Sequence, residues 1–87
     1  MDSKLYENLA MQFYHANKEH RHYNYLFHGL VEEAEEASEA ETTEQVIEEL
    51  GDVLWYVTII ASRLGYSLEN LMIKNYNKLE ARQVIGK

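Results

Sequence analysis

Apolar residues recur at intervals of three and four along most of the chain, strand-type alternation is scarce and proline is absent, so the pattern predicts helices throughout. Four segments emerge. The first runs from about Ser3 to Lys18 on Leu5, Leu9, Phe13 and Ala16, and the polar, aromatic stretch from His20 to Asn24 reads as a connection. The second begins near Tyr25, carries Leu26, Leu30, Ala34 and Ala37, and ends before Thr42. Thr42 with Gln45 reads as a capping box opening the third segment, which continues to Leu64, where Gly65 offers the left-handed residue of a helix stop. Ser67 is a good N-cap for a last helix from Leu68 to about Gln83, with Ile85 to Lys87 expected to fray. There is no internal repeat, low-complexity linker or domain boundary, so a single all-α domain over residues 1–87 is expected.

Composition narrows the class. Eighty-seven residues, 46% hydrophobic and 26% charged, suit one core and are too apolar for intrinsic disorder. The absence of cysteine excludes disulfides, zinc fingers, thiol nucleophiles and iron–sulfur clusters. Val53 to Ala61, the longest nearly apolar stretch, is interrupted by Thr58 and falls far short of the roughly 20 residues of a membrane span. Asp2 to Asn8 is polar and unlike a signal peptide, so a cytoplasmic location is expected. A net charge of −7 disfavours long DNA or RNA, whose backbone needs a basic face.

The position of the charge changes the picture more than its sum. Glu32, Glu33, Glu35, Glu36, Glu39, Glu41, Glu44, Glu48, Glu49 and Asp52 hold most of the 15 acids, and no lysine or arginine lies between Arg21 and Arg63. At about 100° per residue with Leu30 as zero, Leu26, Ala34 and Ala37 fall within roughly 40°, Glu33 near −60° and Glu36 near −120°, while Glu32 and Glu35 point to the opposite side. On the third helix, with Leu50 as zero, Val46, Val53, Leu54 and Val57 form the apolar stripe, and Glu49, Asp52 and Tyr56 share one flank at roughly −100° to −160°. Two helices joined by a short connection pack antiparallel, so Glu33, Glu36, Glu49 and Asp52 border one seam and could converge. An acidic helix face is ordinarily just solvated. An all-oxygen cluster suits a hard cation, Mg²⁺ or Mn²⁺, that also binds substrate phosphates.

The segment Gly29-Leu30-Val31-Glu32-Glu33-Ala34-Glu35-Glu36, a gap of twelve residues, then Glu49-Leu50-Gly51-Asp52-Val53-Leu54-Trp55 resembles the MazG-like family of all-α nucleoside triphosphate pyrophosphohydrolases, with its ExxE, spacer and ExxD. Asn75-Tyr76-Asn77-Lys78-Leu79-Glu80-Ala81-Arg82 resembles the NxxKLxxR stretch of the family's last helix. The resemblance implies an antiparallel four-helix bundle completed by oligomerisation. It further implies Mg²⁺-dependent hydrolysis of NTPs or dNTPs to a nucleoside monophosphate and pyrophosphate, for nucleotide pool control. Glu33, Glu36, Glu49 and Asp52, the four acids the projection selects, would hold the magnesium. Bound metals in this family orient the phosphates and lower the pKa of the attacking water. A carboxylate assists by taking the proton, with Glu36 and Glu49 equal candidates.

On the last helix Asn75, Lys78 and Arg82 fall within about 40° of Leu71, a donor row suited to the phosphates of a triphosphate, although pairing with acids such as Glu80 is the ordinary use of such residues. Tyr56 matches a tyrosine that touches phosphate in related nucleotidohydrolases; by itself it reads as a packed aromatic with a wet hydroxyl. The N-terminal third is rich in Phe, Tyr and His (Phe13, Tyr14, His15, His20, His22, Tyr23, Tyr25, Phe27, His28), which suits either base stacking or helix contacts. Glu19 and His22 form a lone ExxH, half of what a di-iron bundle needs. Trp55 and Ile59 project away from the Leu50 stripe, which implies a partner surface and a homodimer or homotetramer. The competing function is a catalytically inactive acidic helical interaction module, distinguished by an absence of Mg²⁺-dependent nucleotide turnover.

Overall fold

In the computed structural model, which describes residues 1–16 and 23–86 (side chains to residue 83), four helices follow one another. They are α1 (Ser3–Ala16), α2 (Tyr23–Glu39), α3 (Thr43–Arg63) and α4 (Leu68–Gly86). No strand occurs among the described residues, so the chain is all-α as its periodicity requires. Helix α2 starts two residues before the expected Tyr25, and α4 continues past Gln83 to Gly86.

Each boundary has a local cause. Asp2 Oδ1 accepts the Leu5 N–H at 2.8 Å and opens α1. Thr42, extended at φ −124° and ψ 154°, accepts the Gln45 N–H at 3.2 Å, and Gln45 Oε1 accepts the Glu41 and Thr42 N–H groups at 3.0 and 3.3 Å. The expected capping box is therefore formed, and three otherwise orphan donors are satisfied. Helix α3 ends with Gly65 at φ 81°, the Gly65 N–H bonded to the Ser62 carbonyl and the Tyr66 N–H to that of Ala61, the Schellman pattern that favours glycine. Ser67 Oγ accepts the Asn70 N–H at 3.0 Å, and Glu7 of α1 reaches across to accept the Leu68 N–H at 2.8 Å, so α1 anchors the start of α4.

The core is made by α1, α2 and the second half of α3. Ala10, Tyr14, Leu26, Ile59 and Ile60 are buried together, with Tyr6, Met11, Tyr23, Leu30, Trp55 and Tyr56 packed around them. Thr58, also fully buried, donates its hydroxyl to the Leu54 carbonyl at 2.7 Å, which removes the penalty of an unpaired polar group.

Three inward faces differ from the hydrophobic reading. On α1 the inward line is Tyr6, Ala10 and Tyr14, whereas Leu5 and Phe13 are exposed, because a tyrosine buries its ring and leaves the hydroxyl at the rim. On α2 the inward residues are Leu26, Gly29, Leu30, Glu33 and Ala37, with Ala34 outside. On α3 the expected partner surface is corrected: Ile59 is fully buried and Trp55 half-buried against the core, while Ile47, Leu50 and Leu54 are 62%, 50% and 42% exposed. The face of α3 that meets α2 and α1 is centred on Glu49, Val53, Tyr56 and Ile60, about 100° from the Leu50 stripe.

Helix α4 stands apart. It touches α1 and α3 and, among the described residues, makes no contact with α2. Beyond Leu68 and half-buried Leu71 every described α4 residue is exposed, Met72, Tyr76 and Leu79 by 56%, 63% and 52%. The radius of gyration, 14.7 Å, correspondingly exceeds the approximately 12 Å of a compact chain of this length. No described helix is long and apolar enough to cross a membrane.

Candidate metal centre

The short connection at Ala40–Thr42 turns α3 back against α2, and this pair makes the most extensive helix contact among the described residues. Because Glu33 and Glu49 lie on the facing lines of the two helices, they are half-buried in the seam itself, with Glu36 at its solvent edge. One ligand oxygen from each of Glu33, Glu36 and Glu49 lies within 4.8 Å of the others. The Oε2 atoms of Glu33 and Glu49 are shut off from solvent without a hydrogen-bond partner among the described residues.

Three negative charges at this spacing oppose one another, and the chain relieves the conflict by keeping one of them protonated. The Glu33 carboxyl is pushed up to about 8, first by the adjoining Glu49 carboxyl, then by burial, then by Glu36 and the charge of Asp52. No cationic side chain enters the cluster among the described residues. An oxygen-only donor set with two orphaned buried oxygens fits a hard divalent cation of the Mg²⁺ or Mn²⁺ type.

Of the expected site residues, the fold brings Glu33, Glu36 and Glu49 together. Asp52 is exposed and outside that close group, but its charge is felt by Glu33, Tyr6 and Tyr56. Tyr56 stands beside the cluster: burial raises its pKa, followed by the charge of Glu33 and by Tyr25, Glu32 and Asp52, so its phenol is held protonated as a donor. Its ring meets Trp55 edge-on, with centroids 5.0 Å apart at 86°. Asn75, Lys78 and Arg82 are exposed on α4, and Lys78 and Arg82 form no ion pair among the described residues. Glu80, their expected partner in a purely structural role, instead accepts the Tyr76 hydroxyl at 2.8 Å.

Two residues at the site have no sequence-derived role. Tyr6 on α1, half-buried against the core, has its phenol pKa raised by burial and then by the charge of Asp52. Its inward position on α1 was the available signal, masked by the stronger apolarity of Leu5. Gly29 on α2 is buried beneath Tyr56, where an added Cβ would overlap the tyrosine ring. Of the N-terminal aromatics, Tyr14 belongs to the core, Phe13 is 70% exposed, and Tyr23 meets Phe27 edge-on and carries Arg63 over its ring at 5.3 Å. His15 stacks obliquely on Tyr14. His20, His22 and the Glu19–His22 pair lie outside the described residues.

Comparison with known proteins gives the family of the chain. The uncharacterized protein YvdC of Bacillus subtilis (strain 168) is 43% identical over 47 residues, covering 54% of this chain and 44% of that protein, so the match spans less than half of the relative's length. No solved structure matches the chain with significance. The profile of the MazG nucleotide pyrophosphohydrolase domain matches residues 21–84, a span that includes the acid-bearing α2–α3 pair and the donor row of α4. The chain belongs to the MazG nucleotide pyrophosphohydrolase domain family.

Proposed function

We propose that the chain is a Mg²⁺-dependent hydrolase that converts nucleoside triphosphates, ribo or deoxy, to a nucleoside monophosphate and pyrophosphate and so controls a nucleotide pool in the cytoplasm. The observation that carries this reading is the convergence of Glu33, Glu36 and Glu49 within 4.8 Å, with one oxygen of Glu33 and one of Glu49 buried and unpartnered. A solvated acidic face would turn its carboxylates outward, as Glu32 and Glu35 do.

Glu33, Glu36 and Glu49 would hold the metal, with Asp52 closing the set from the next turn of α3. A bound Mg²⁺ or Mn²⁺ supplies charge stabilisation at the phosphates and a more acidic water. The chain's own residues have three tasks. Glu36 or Glu49 takes the proton as a water oxygen bonds to the α-phosphorus; the bond from that phosphorus to the bridging oxygen breaks, and pyrophosphate leaves with the electron pair. Tyr56, protonated and beside the acids, donates to a phosphate oxygen. Asn75, Lys78 and Arg82 hold the distal phosphates, Arg82 by its fork and Lys78 as a point charge.

The last task needs a second copy. Helix α4 makes no contact with α2 among the described residues, so its donors reach an acid cluster most directly in a neighbouring chain. A homodimer or homotetramer in which α4 closes a four-helix bundle would cover Ile47, Leu50 and Leu54 and the exposed apolar residues of α4. Each chain contributes one domain over residues 1–87.

Pyrophosphate release across a panel of NTPs and dNTPs, with Mg²⁺, Mn²⁺ or chelator and with a Glu49→Gln control, tests the reading. Metal-dependent release lost in the control is expected. No turnover with any substrate and either metal would leave the acidic interaction module as the function.

A further inference from the structure

We propose that Gly29 is a positioning residue whose missing side chain lets Tyr56 lie across α2 and present its hydroxyl at the acid cluster. The proposal rests on the reading of Tyr56 as a phosphate contact. Gly29 is buried in the middle of α2, one turn before Glu33. Its backbone has no positive φ, so conformational freedom does not explain a glycine there. A helix interior favours alanine at such a position. What explains glycine is space: an ideal Cβ would overlap Cε1 and Cζ of Tyr56 and lie 2.6 Å from its hydroxyl oxygen. Gly51 on α3, by contrast, has nothing within 4 Å of such a Cβ.

The atoms in conflict are the far end of the tyrosine, the part that carries the donor. An alanine at position 29 would therefore displace the phenol tip while the helix backbone bearing Glu33 and Glu36 remains in place. Trp55, packed edge-on against Tyr56, limits the routes by which the ring can give way. Loss of the hydroxyl from the site then follows from a methyl group that touches neither metal nor substrate.

The test is a double-mutant cycle on the full chain, read by pyrophosphate release, by Mg²⁺-induced thermal shift and by melting temperature. Gly29→Ala should lower kcat/KM by about the same factor as Tyr56→Phe, about 10- to 100-fold for a hydrogen bond to a charged oxygen. The Mg²⁺ shift should be unchanged. Gly29→Ala should cost no further activity in the Tyr56→Phe background, since the donor is already gone. It should raise the melting temperature in the Tyr56→Ala background, where the ring no longer competes for the space, and lower it when Tyr56 is present. Wild-type activity in Gly29→Ala, or an equal loss with and without the Tyr56 hydroxyl, would overturn the proposal. Full activity in Tyr56→Phe would remove Tyr56 from the substrate site, while the opposite melting shifts in the two backgrounds would still report the clearance. If Gly29→Ala alone does not fold, recovery of helical protein in Gly29→Ala/Tyr56→Ala supports the clearance, and failure to recover overturns it.

Discussion

Helices α2 and α3 form a tight pair with acids turned inward, whereas α4 carries cations and apolar side chains outward into solvent. In the first region one chain assembles three carboxylates within 4.8 Å and relieves their repulsion by keeping Glu33 protonated. In the second, Lys78 and Arg82 have the chemistry to meet a triphosphate, but the helix bearing them makes no contact with α2 among the described residues. The anionic half of the proposed site is thus intrachain and strained, while the cationic half is exposed. A contrast of this kind separates residues that matter for both folding and function from residues that matter for function alone.

The largest effect should come from the strained half. Glu49→Gln removes a ligand without changing volume and should lower turnover by about 100-fold or more with helicity unchanged, as circular dichroism and pyrophosphate release would show. Glu33→Gln should be equally inactive yet melt higher than the wild-type chain in metal-free buffer near pH 8, because it removes the charge conflict. A lower melting temperature would mean that the cluster is not strained.

On the exposed half, Arg82→Ala should lower kcat/KM by about 2 to 4 kcal/mol, while triphosphate affinity falls more than monophosphate affinity and the melting temperature stays put. Mixing inactive Arg82→Ala with inactive Glu49→Gln should restore part of the activity, since a mixed assembly contains sites with neither change. Recovery confined to the level of either variant alone would place the donors in their own chain's site.

The pH response should be intermediate. A carboxyl held above its ordinary 4.5 binds its proton more tightly folded than unfolded, so the contribution of Glu33 to metal-free stability is fully present below about 4.5 and is lost as pH rises through about 8. Melting curves from pH 5 to 9 should show the decline. Mg²⁺ should offset it most at the alkaline end, with proton release near neutrality.

Smaller again is the effect of the uncovered stripe. Leu50→Ser should cost little stability in the isolated chain, where the residue is half-exposed, but should weaken assembly as measured by light scattering. Glu32→Gln and Glu35→Gln, on the solvent side of α2, should stay within about 0.5 kcal/mol of wild type in stability and leave turnover unaltered.

Pattern and motif suffice for the four helices, for the capping box at Thr42 and the stop at Gly65, and for the acids, because these depend on contacts within a few residues of the chain. The periodicity of leucines on α3 predicts the wrong inward face, however: Leu50 and Leu54 outrank Glu49 and Tyr56 in hydrophobicity, yet it is the latter pair that meets α2. Only the packing of α2, α3 and α1 decides that face, since burial depends on which neighbours arrive and not on the apolarity of one helix. For the same reason the projection of Asn75, Lys78 and Arg82 onto one side of α4 is legible, but the direction of that side relative to the acids is not. The inward placement of Tyr6 and the clearance at Gly29 likewise arise between elements, through the core that α1 packs against and a ring crossing α2. Local sequence dictated the helices and their chemical endowment; the tertiary fold alone decided which residues share the seam, because that seam is made by side chains far apart in the chain.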